Sequence, residues 1–328
     1  MSDVPEQGSL AGKTVLLTGG HGFLGSHLAD RLSAMPLRLV RPRRADVDFI
    51  DQRATFDYLG RLRSDIVIHC AAWYGGMRIH ELHPGRIYYE NLMMGTNLLE
   101  AARRSGVKKF VTIGSDCAYP GDLPKDVLKE EDLWSGPPHE TALDYGVVKR
   151  VLSVQGWAYR KEYGFNAIFL IPTNMYGPRD TFEFESAHVV GALIRRFVEA
   201  EAANAPTVEV WGTGRPVRNF LYVEDAAEGI VRATQRYDDT APLNLTTSEG
   251  RSVHELADAI RNLVGYRGEV VWNTSRRDGQ LKKVLDISRM RQALDWEPRV
   301  TLREGLERTI AWYRSHKTLA DSKKRISA

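Results

Sequence analysis

The sequence predicts the α/β fold class: a doubly wound parallel sheet in the first half of the chain, followed by a smaller C-terminal α/β lobe. Short continuous apolar runs recur in the first half, and such runs are typical of strands buried on both faces. Each run is followed by a longer segment whose apolar residues recur with the period of a helix. Strands that alternate with helices indicate a parallel sheet covered on both sides.

The predicted elements of the first half follow one another along the chain. The predicted strands are KTVLLTG, LRLVRP, DIVIHCAA, KKFVTIGS and NAIFLIPTNMYGP. The predicted helices between them are FLGSHLADRLSAM, RATFDYLGRLR, YYENLMMGTNLLEAARRSG and YGVVKRVLSVQGWAYRKEYG. Gly106 and Gly164 end the last two helices, because glycine is favoured directly after a helix C-terminus.

After about residue 175 the alternation is less regular, which predicts a separate lobe. Its predicted helices are HVVGALIRRFVEA and SVHELADAIRNLVG, and its predicted short strands are EVVW and KKVLDIS. We expect residues 1–175 to form the main domain, 176–317 mainly the lobe, and 318–328 a mobile tail. Two segments near 217–248, FLYVEDAAEGIVRATQ and APLNLTT, are expected to return to the main sheet and complete it.

Composition excludes several classes of protein. The net charge of the 328 residues is only +3 and the basic residues are scattered, so we expect no nucleic-acid partner. The two cysteines, Cys70 and Cys117, cannot form a disulfide framework, and Cys70 is expected in the core. No CxxC or HExxH spacing occurs, so no metal site is predicted. A polar N-terminus and the lack of an apolar run of about 18 residues predict a cytoplasmic protein without a membrane segment.

A glycine-rich turn lies between the first predicted strand and the first predicted helix. Gly19, Gly22 and Gly25 form the pattern G-x-x-G-x-x-G. Glycines permit a tight turn and a close approach of the backbone to a pyrophosphate, while the helix N-terminus supplies N–H donors. The pattern in this context predicts a Rossmann-like dinucleotide site in residues 1–175.

The residues after the second predicted strand indicate which dinucleotide binds. An acidic residue there would bind the ribose 2′-hydroxyl of NAD, but this strand is followed by Arg41, Arg43 and Arg44. A guanidinium can donate two parallel hydrogen bonds to a 2′-phosphate. We therefore predict NADP(H), with Arg44 as the phosphate ligand. Ordinary surface arginines, with Asp46 or Asp48 serving NAD, remain the alternative.

The fourth predicted strand and the helix after it carry candidate catalytic residues. Tyr145 and Lys149 are four residues apart, which places both on one helix face. A free phenol has a pKa of about 10, and a neighbouring ammonium lowers such a value towards neutrality. Ser115 ends the preceding strand. The order of glycine turn, serine, tyrosine and lysine favours dinucleotide-dependent proton and hydride transfer.

With these residues in this order, the chain resembles the extended short-chain dehydrogenase/reductase superfamily. The resemblance implies that Ser115 and Tyr145 hold a substrate carbonyl or alcohol, and that Tyr145 passes the proton. It implies that Lys149 also binds the nicotinamide ribose. It further implies a set of cofactor contacts along the chain: Phe23, Leu24, Ala71, Ala72, Ile113, Pro172, Thr173, Asn174, Met175 and His188.

Within that superfamily the chain is most similar to the GDP-L-fucose synthase family. The similarity rests on Cys117 in GSDCAYP, on the histidine of SAHVV, and on segments such as PTNMYGPRDTF and VWGTGRPVRNFLYVEDAA, from about Lys13 to Tyr313. That family epimerises C3 and C5 of GDP-4-keto-6-deoxy-mannose and then reduces C4 with NADPH. The resemblance implies Cys117 as base and His188 as acid. The alternatives are a buried turn cysteine and a histidine that only caps or packs.

The same resemblance implies contacts with the GDP-sugar. These are Arg196, Trp211, Arg218 and Asp278. Surface ion pairs or packing within the lobe are the alternative for each, and the sequence does not say which arginine of RRF points inward. The family also implies a homodimer formed through the two long helices.

Two departures from the family pattern leave the substrate open. Asp116 replaces a serine and adds a carboxylate beside the predicted base, which could weaken epimerisation. The loop PRDTFEFESAH differs as well. A GDP-deoxyheptose or another 4-keto-6-deoxy sugar fits too. An enzyme with only the reductase or only the epimerase activity, and a non-catalytic protein that senses dinucleotides, are the other hypotheses.

Overall fold

The computed structural model describes residues 8–184, 186–276 and 278–322. Its strands are β1 (Thr14–Thr18), β2 (Arg38–Val40), β3 (Ile66–His69), β4 (Lys109–Ile113), β5 (Ala167–Pro172), β6 (Asn174–Tyr176), β7 (Thr207–Trp211), β8 (Val217–Tyr222), β9 (Leu243–Leu245), β10 (Gly250–Ser252), β11 (Glu269–Asn273) and β12 (Lys282–Lys283). Its α-helices are α1 (Phe23–Ser33), α2 (Gln52–Leu62), α3 (Met77–Leu82), α4 (Pro84–Arg104), α5 (Leu143–Tyr163), α6 (Val189–Ala202), α7 (Val223–Arg236), α8 (Val253–Val264), α9 (Ser288–Leu294), α10 (Leu302–Ser315) and α11 (Lys317–Ser322).

The main sheet has six parallel strands in the order β2-β1-β3-β4-β5-β9. Strands β3, β4 and β5 are buried along their whole length, as the continuous apolar runs predict. Helices α1 and α7 cover one face, and α2, α4 and α5 cover the other. The strand order reverses between β1 and β3, so the loops after these strands diverge and leave a crevice at their carboxyl ends. The predicted fold class is confirmed.

The helix ends follow the glycine signals in the sequence. Gly164 takes the left-handed conformation, with φ of +65°, directly after α5. Gly106 has φ of +77° two residues after the end of α4. Both residues stop a helix where a side chain would oppose the backbone conformation. The two long helices pack side by side, and α5 carries Tyr145 and Lys149 in its first two turns.

The prediction for the sheet's last strands is half right. Strand β9 pairs with β5 and completes the main sheet, as expected for APLNLTT. The segment FLYVEDAAEGIVRATQ was expected there as well. Its helix α7 does pack on the main sheet, but its strand residues, in β8, pair with β6, β10 and β12 in a second sheet. Because β9 occupies the edge beside β5, β8 pairs instead with β6, which continues the chain beyond β5.

The lobe has its own core. Helices α6, α8 and α10 pack with the parallel pair β7–β11 around buried residues that include Phe197, Leu256 and Leu306. The segment EVVW does form a strand, β11. Helical structure extends to Ser322, into the segment for which a mobile tail was predicted, and residues 323–328 lie outside the described part. Within the described part, the chain has no helix with the length and apolar character that crossing a membrane requires.

Candidate active site

The glycine turn after β1 forms a cradle that only glycines can line. Gly19 has φ of +68°, and a Cβ there would lie 2.7 Å from the Ala71 nitrogen. A Cβ on Gly25 would lie 2.0 Å from the Gly19 oxygen. Gly22 precedes α1, whose first turn contains Phe23 and Leu24. Bare backbone facing a helix N-terminus fits a pyrophosphate, as the sequence predicts.

The arginines after β2 differ in their surroundings. The Arg41 side chain lies over the cradle, since a Cβ on Gly20 would lie 3.1 Å from the Arg41 Cβ. Arg44 instead makes ion pairs of 3.2 Å with Asp48 and 3.4 Å with Glu90. Both arginines are exposed and suit a phosphate. The structure therefore places Arg41, rather than the predicted Arg44, against the glycine turn.

The loop after β3 closes the second side of the cradle. The Ala71 N–H donates to the Thr18 hydroxyl over 3.3 Å, which holds Ala71 and Ala72 beside β1. Cys70 packs against the core next to them, and burial raises the pKa of its thiol to about 12. Cys70 is therefore an unreactive packing residue, as predicted.

Lys149 lies beneath the end of β4. Its ammonium donates to the Ile113 carbonyl over 2.7 Å and is almost fully buried. Burial lowers the pKa of Lys149 to about 8, against a smaller opposing effect of the nearby thiols Cys70 and Cys117. A buried amine with a pKa near neutrality is typical of functional sites.

The turn Ser115–Cys117 follows β4 directly. The Ser115 hydroxyl accepts the Cys117 N–H over 3.2 Å and so fixes the start of the turn. Asp116 is buried, with its carboxylate 3.1 Å from the Lys283 ammonium and 3.3 Å from the Asn174 amide. The carboxylate expected to oppose a thiolate base is thus compensated by a lysine that sequence analysis missed.

Tyr74 brings the predicted catalytic residues together. Its ring stacks on that of Tyr145, with centroids 4.4 Å apart, and lies 5.2 Å from that of His188. Its hydroxyl is 3.9 Å from the Cys117 sulfur. The Lys149 nitrogen lies 5.1 Å from the centre of the Tyr145 ring, so the tyrosine–lysine pair forms as the spacing predicts. Sequence analysis missed Tyr74; its signal was an aromatic residue just after a buried strand.

The segment from Pro172 to Met175 borders the same turn. Pro172 ends β5, and the Thr173 N–H donates to the Leu245 carbonyl over 3.1 Å. Asn174 reaches Asp116, as noted, and its amide also donates to the Asn219 carbonyl over 3.2 Å. The predicted cofactor contacts of this segment thus lie beside the predicted serine and cysteine.

An aromatic and basic surface lies in the lobe. The Arg196 guanidinium is 4.8 Å from the centre of the Trp211 ring, and Arg276 lies at the same distance. Arg195 bonds to Glu199 over 3.0 Å instead. Of the two arginines in RRF, Arg196 is therefore the one at the predicted GDP surface. Its neighbour Arg276 was missed, because nothing in the sequence places that loop beside β7.

Arg218 and Asp278 lie between this surface and the catalytic turn. Arg218 is largely enclosed, which lowers the pKa of its guanidinium, and the charges of Asp116, Cys117 and Asp278 act on it. Asp278 accepts from the Thr213 amide over 2.9 Å and from its hydroxyl over 2.6 Å. The Arg218 guanidinium donates to the Val217 carbonyl over 2.8 Å and to the Gln280 carbonyl, and Asp278 closes the loop after β7.

A phenol beside a buried amine, at the mouth of a dinucleotide cradle, is the arrangement with which short-chain dehydrogenases and reductases transfer a proton. The fold and the site together define an enzyme of this class. The chain belongs to the NAD dependent epimerase/dehydratase family, which matches residues 15–245.

Individual relatives are enzymes of nucleotide sugars. The probable GDP-L-fucose synthase 1 of Oryza sativa subsp. japonica is 36% identical over 92% of this chain and 92% of its own length. A solved GDP-L-fucose synthetase from Naegleria fowleri bound to NADP superposes with a TM-score of 0.88, at 27% identity, over 98% of this chain and 99% of that chain. A GDP-6-OMe-4-keto-L-xylo-heptose reductase from C. jejuni also gives 0.88, at 26% identity, over 94% and 99%.

Proposed function

We propose that this protein is an NADP(H)-dependent enzyme that epimerises C3 and C5 of a GDP-linked 4-keto-6-deoxy sugar and reduces its C4 ketone. The observation that carries the proposal is the convergence of Cys117, Tyr145 and His188 on the side chain of Tyr74: the two rings lie against the Tyr74 ring, and the sulfur lies at its hydroxyl. A site for reduction alone needs the phenol and the lysine but neither the thiol nor the imidazole. The GDP-L-fucose synthases among the relatives support the same conclusion.

The residues at the end of β1 fit the proposed cofactor. The glycine turn receives the pyrophosphate, and an arginine after β2 pairs with the 2′-phosphate. Lys149 is proposed to donate to the nicotinamide ribose, and its ammonium lies 5.1 Å from the centre of the Tyr145 ring. When bound, NADP(H) supplies or accepts the hydride at C4. The NADP in the Naegleria fowleri structure supports this choice over NAD.

Epimerisation uses the acidity that a C4 ketone confers on the neighbouring C–H bonds. The Cys117 thiolate removes the proton from one face of the sugar, and the C–H electron pair moves into the enolate. Ser115 and Tyr145 donate hydrogen bonds to the enolate oxygen. His188 returns a proton to the opposite face, since imidazole titrates near neutral pH. The carbon is inverted, and no electrons are gained or lost.

Reduction uses the same ketone-binding groups. Tyr145 donates its proton to the C4 oxygen as the carbon receives the hydride. The phenolate that remains is stabilised by the Lys149 ammonium. Because the pKa of Lys149 is about 8, its charge is mostly retained at neutral pH. One set of oxygen-binding residues therefore serves both halves of the reaction.

The GDP end of the substrate is assigned to the lobe. Arg218 is proposed to pair with the diphosphate near the catalytic turn, while Arg196 and the exposed face of Trp211 bind farther out. Asp278 contributes by holding the loop that follows Trp211. The loop before His188 is proposed to select the sugar.

A reductase of a GDP-linked heptose is the second candidate. The observation in its favour is the C. jejuni reductase, which superposes as well as the Naegleria fowleri enzyme does. Such an enzyme would tolerate loss of Cys117 or His188. A non-catalytic sensor has less support, because it would not need the Tyr145–Lys149 pair.

Hydrogen exchange tests the proposal directly. We would incubate the protein with GDP-4-keto-6-deoxy-mannose in deuterated water without NADPH, and follow deuterium at C3 and C5 by NMR. The wild type is expected to exchange both positions. Cys117→Ser is expected to lose at least about 100-fold of that rate, because a serine hydroxyl does not ionise near neutral pH and so supplies no anionic base.

Cys70→Ser is the matched control, since Cys70 is the only other cysteine and lies in the core. We expect it to exchange at the wild-type rate. If Cys117→Ser exchanges as fast as the wild type, the base has been wrongly assigned. If the wild type does not exchange but oxidises NADPH with a 4-keto sugar, the reductase is the correct function.

We also propose that the protein forms a homodimer through α4 and α5. The outer face of α5 exposes Val151, Val154 and Trp157 by 38%, 45% and 51% of their surface. Apolar side chains that line one helix face in this way suit a helical interface. Light scattering should give a dimer for the wild type and a monomer for Val154→Glu. The cytoplasmic location stays a prediction.

A further inference from the structure

We propose that Tyr74 is a positioning residue for the proposed reaction: its hydroxyl holds the Cys117 sulfur, and its ring holds the Tyr145 phenol. The catalytic consequence rests on the function proposed above, whereas the contact itself does not. Tyr74 lies in the loop after β3 and contacts three groups that the sequence assigned to catalysis, Cys117, Tyr145 and His188.

The contact with sulfur has a defined direction once the thiol ionises. A thiolate has no proton to donate, so the phenol must be the donor across the 3.9 Å that separates the Tyr74 oxygen from the Cys117 sulfur. A hydrogen bond to the charged form favours that form. The phenol therefore donates a hydrogen bond to the sulfur when the thiol is ionised, and this contact fixes where the sulfur lies.

Other charged groups also act on this sulfur. Lys149 in α5 and Arg218 in β8 are close enough for their charges to interact with it. Asp116 is the adjacent carboxylate and is paired with Lys283. His188 lies across the Tyr74 ring. Removing only the Tyr74 hydroxyl leaves all of these groups in place, which makes it a clean test.

The Tyr74 ring also contacts His80 in α3, which is paired with Asp144 in α5. The His80 ring meets the Tyr74 ring edge-on, with centroids 5.4 Å apart. The Nδ1 atom of His80 lies 2.7 Å from the Asp144 carboxylate, and the same carboxylate oxygen accepts the Tyr145 N–H over 2.8 Å. One buried pair thus fixes both stacked tyrosines.

The loop is also fixed on the side of the imidazole. The Gly76 N–H donates to the Ser186 carbonyl over 3.2 Å, two residues before His188. A Cβ on Gly76 would lie 2.8 Å from the Ala187 oxygen, so the two segments are in close contact. Tyr74 therefore stands in a loop that is tied to the segments carrying both proposed proton-transfer partners.

The test removes the hydroxyl and keeps the ring. We would alkylate wild type and Tyr74→Phe with iodoacetamide between pH 6 and 10 and measure the Cys117 peptide by mass spectrometry. The rate follows the thiolate, which displaces iodide. In the variant we expect half-maximal alkylation about 0.5–1 pH unit higher, a loss of roughly 3–10-fold near pH 7. Deuterium exchange should fall by a similar factor, with NADPH binding unchanged.

Two controls separate positioning from general damage. Tyr89→Phe removes a phenol from an exposed position on α4 and should change neither the alkylation profile nor exchange. The Cys70 peptide should stay slow throughout, because its thiol has a pKa of about 12. Tyr74→Leu, which also removes the ring, should slow NADPH oxidation more than Tyr74→Phe does, because only Tyr74→Leu removes the stack on Tyr145.

The outcomes distinguish this inference from the proposed function. An unchanged alkylation profile in Tyr74→Phe would overturn the inference, whatever the substrate. A shifted alkylation profile in Tyr74→Phe supports the inference even if the wild type exchanges no deuterium. In that case only the epimerase part of the proposed function would be rejected. Equal loss of NADPH oxidation in Tyr74→Phe and Tyr74→Leu would also overturn it, because the ring and the hydroxyl would then have no separate roles.

Discussion

The two ends of the proposed cleft are built in different ways. At the cofactor end, the groups lie at the carboxyl ends of buried strands and are enclosed by backbone: Gly19 follows β1, and the Lys149 ammonium, carried by α5, lies beneath the end of β4. At the GDP end, Arg196, Trp211 and Arg276 form a stack of side chains, and Trp211 is 45% exposed. Where the backbone forms a site, adding a single Cβ removes the space for the ligand. Where side chains form it, losing one side chain is expected to weaken binding only in part.

The largest effect is expected at the enclosed end. Tyr145→Phe removes only the phenol oxygen, so the ring should keep its stack on Tyr74. NADPH oxidation with a 4-keto nucleotide sugar should fall by about 10²–10⁴-fold, the usual value of a positioned acid. NADPH affinity, measured by fluorescence titration, should stay within about threefold of wild type. A variant with more than a tenth of the wild-type rate would contradict the assignment of Tyr145 as the acid.

A graded effect is expected at the exposed end. Trp211→Ala should raise the KM for the GDP-sugar about 10-fold and leave kcat nearly unchanged, because the stacking face is remote from the reacting carbons. Val271→Ala is the matched control, since Val271 is 42% exposed on the neighbouring strand β11. Steady-state kinetics measures both. A fall in kcat without a change in KM would place the tryptophan at the chemistry instead.

A smaller difference should separate two arginines at the rim of the cradle. Arg41→Ala is expected to raise the KM for NADPH about 10-fold and Arg44→Ala about threefold, with little effect on NADH in either case. The reason is that Arg44 is already engaged by Asp48 and Glu90. The reverse order would restore Arg44, the residue that sequence analysis favoured. Equal use of NADH and NADPH by the wild type would reject the assignment of either arginine to the 2′-phosphate.

A further effect concerns pH and stability. Burial lowers the pKa of Lys149 from 10.5 to about 8. Between pH 8 and 10.5 the unfolded chain binds a proton that the folded protein does not. The free energy of unfolding therefore increases as the pH rises through this range. Relative to Lys149→Met, the wild type should gain roughly 1–3 kcal/mol from pH 8 to 10.5, as measured by urea unfolding. A difference that stays constant over this range would contradict the burial of a charged amine.

Sequence analysis predicted the enclosed end better than the exposed one. Continuous apolar runs identify buried strands, Gly19 marks a left-handed backbone conformation that favours glycine, and Gly25 marks a close approach of backbone that leaves no room for a Cβ. The Tyr145–Lys149 pair depends only on the spacing of two residues within one helix. Contacts between distant segments have no such local signal, and the ion pair of Asp116 with Lys283 and the stack of Arg276 on Trp211 are examples.

The misplaced strand has a similar cause. The segment of β8 has the apolar content that the main sheet requires, but pairing depends on which edge is free. Strand β9 occupies the edge beside β5, and composition does not indicate which of the two strands pairs there. Tyr74 was missed for a related reason, because its position opposite Tyr145 depends on how the loop after β3 folds over α5.

The junction between β5 and β6 has a mechanical consequence. Only Thr173 separates a strand of the main sheet from a strand of the second sheet, and Thr173 is itself bonded to Leu245 and Thr246. The connection between the main sheet and the second sheet is therefore held beside Cys117, the proposed base, where Asn174 reaches Asp116. We expect any opening of the proposed cleft to occur away from this junction. The proposed GDP end would then move while the spacing around Cys117 stays fixed.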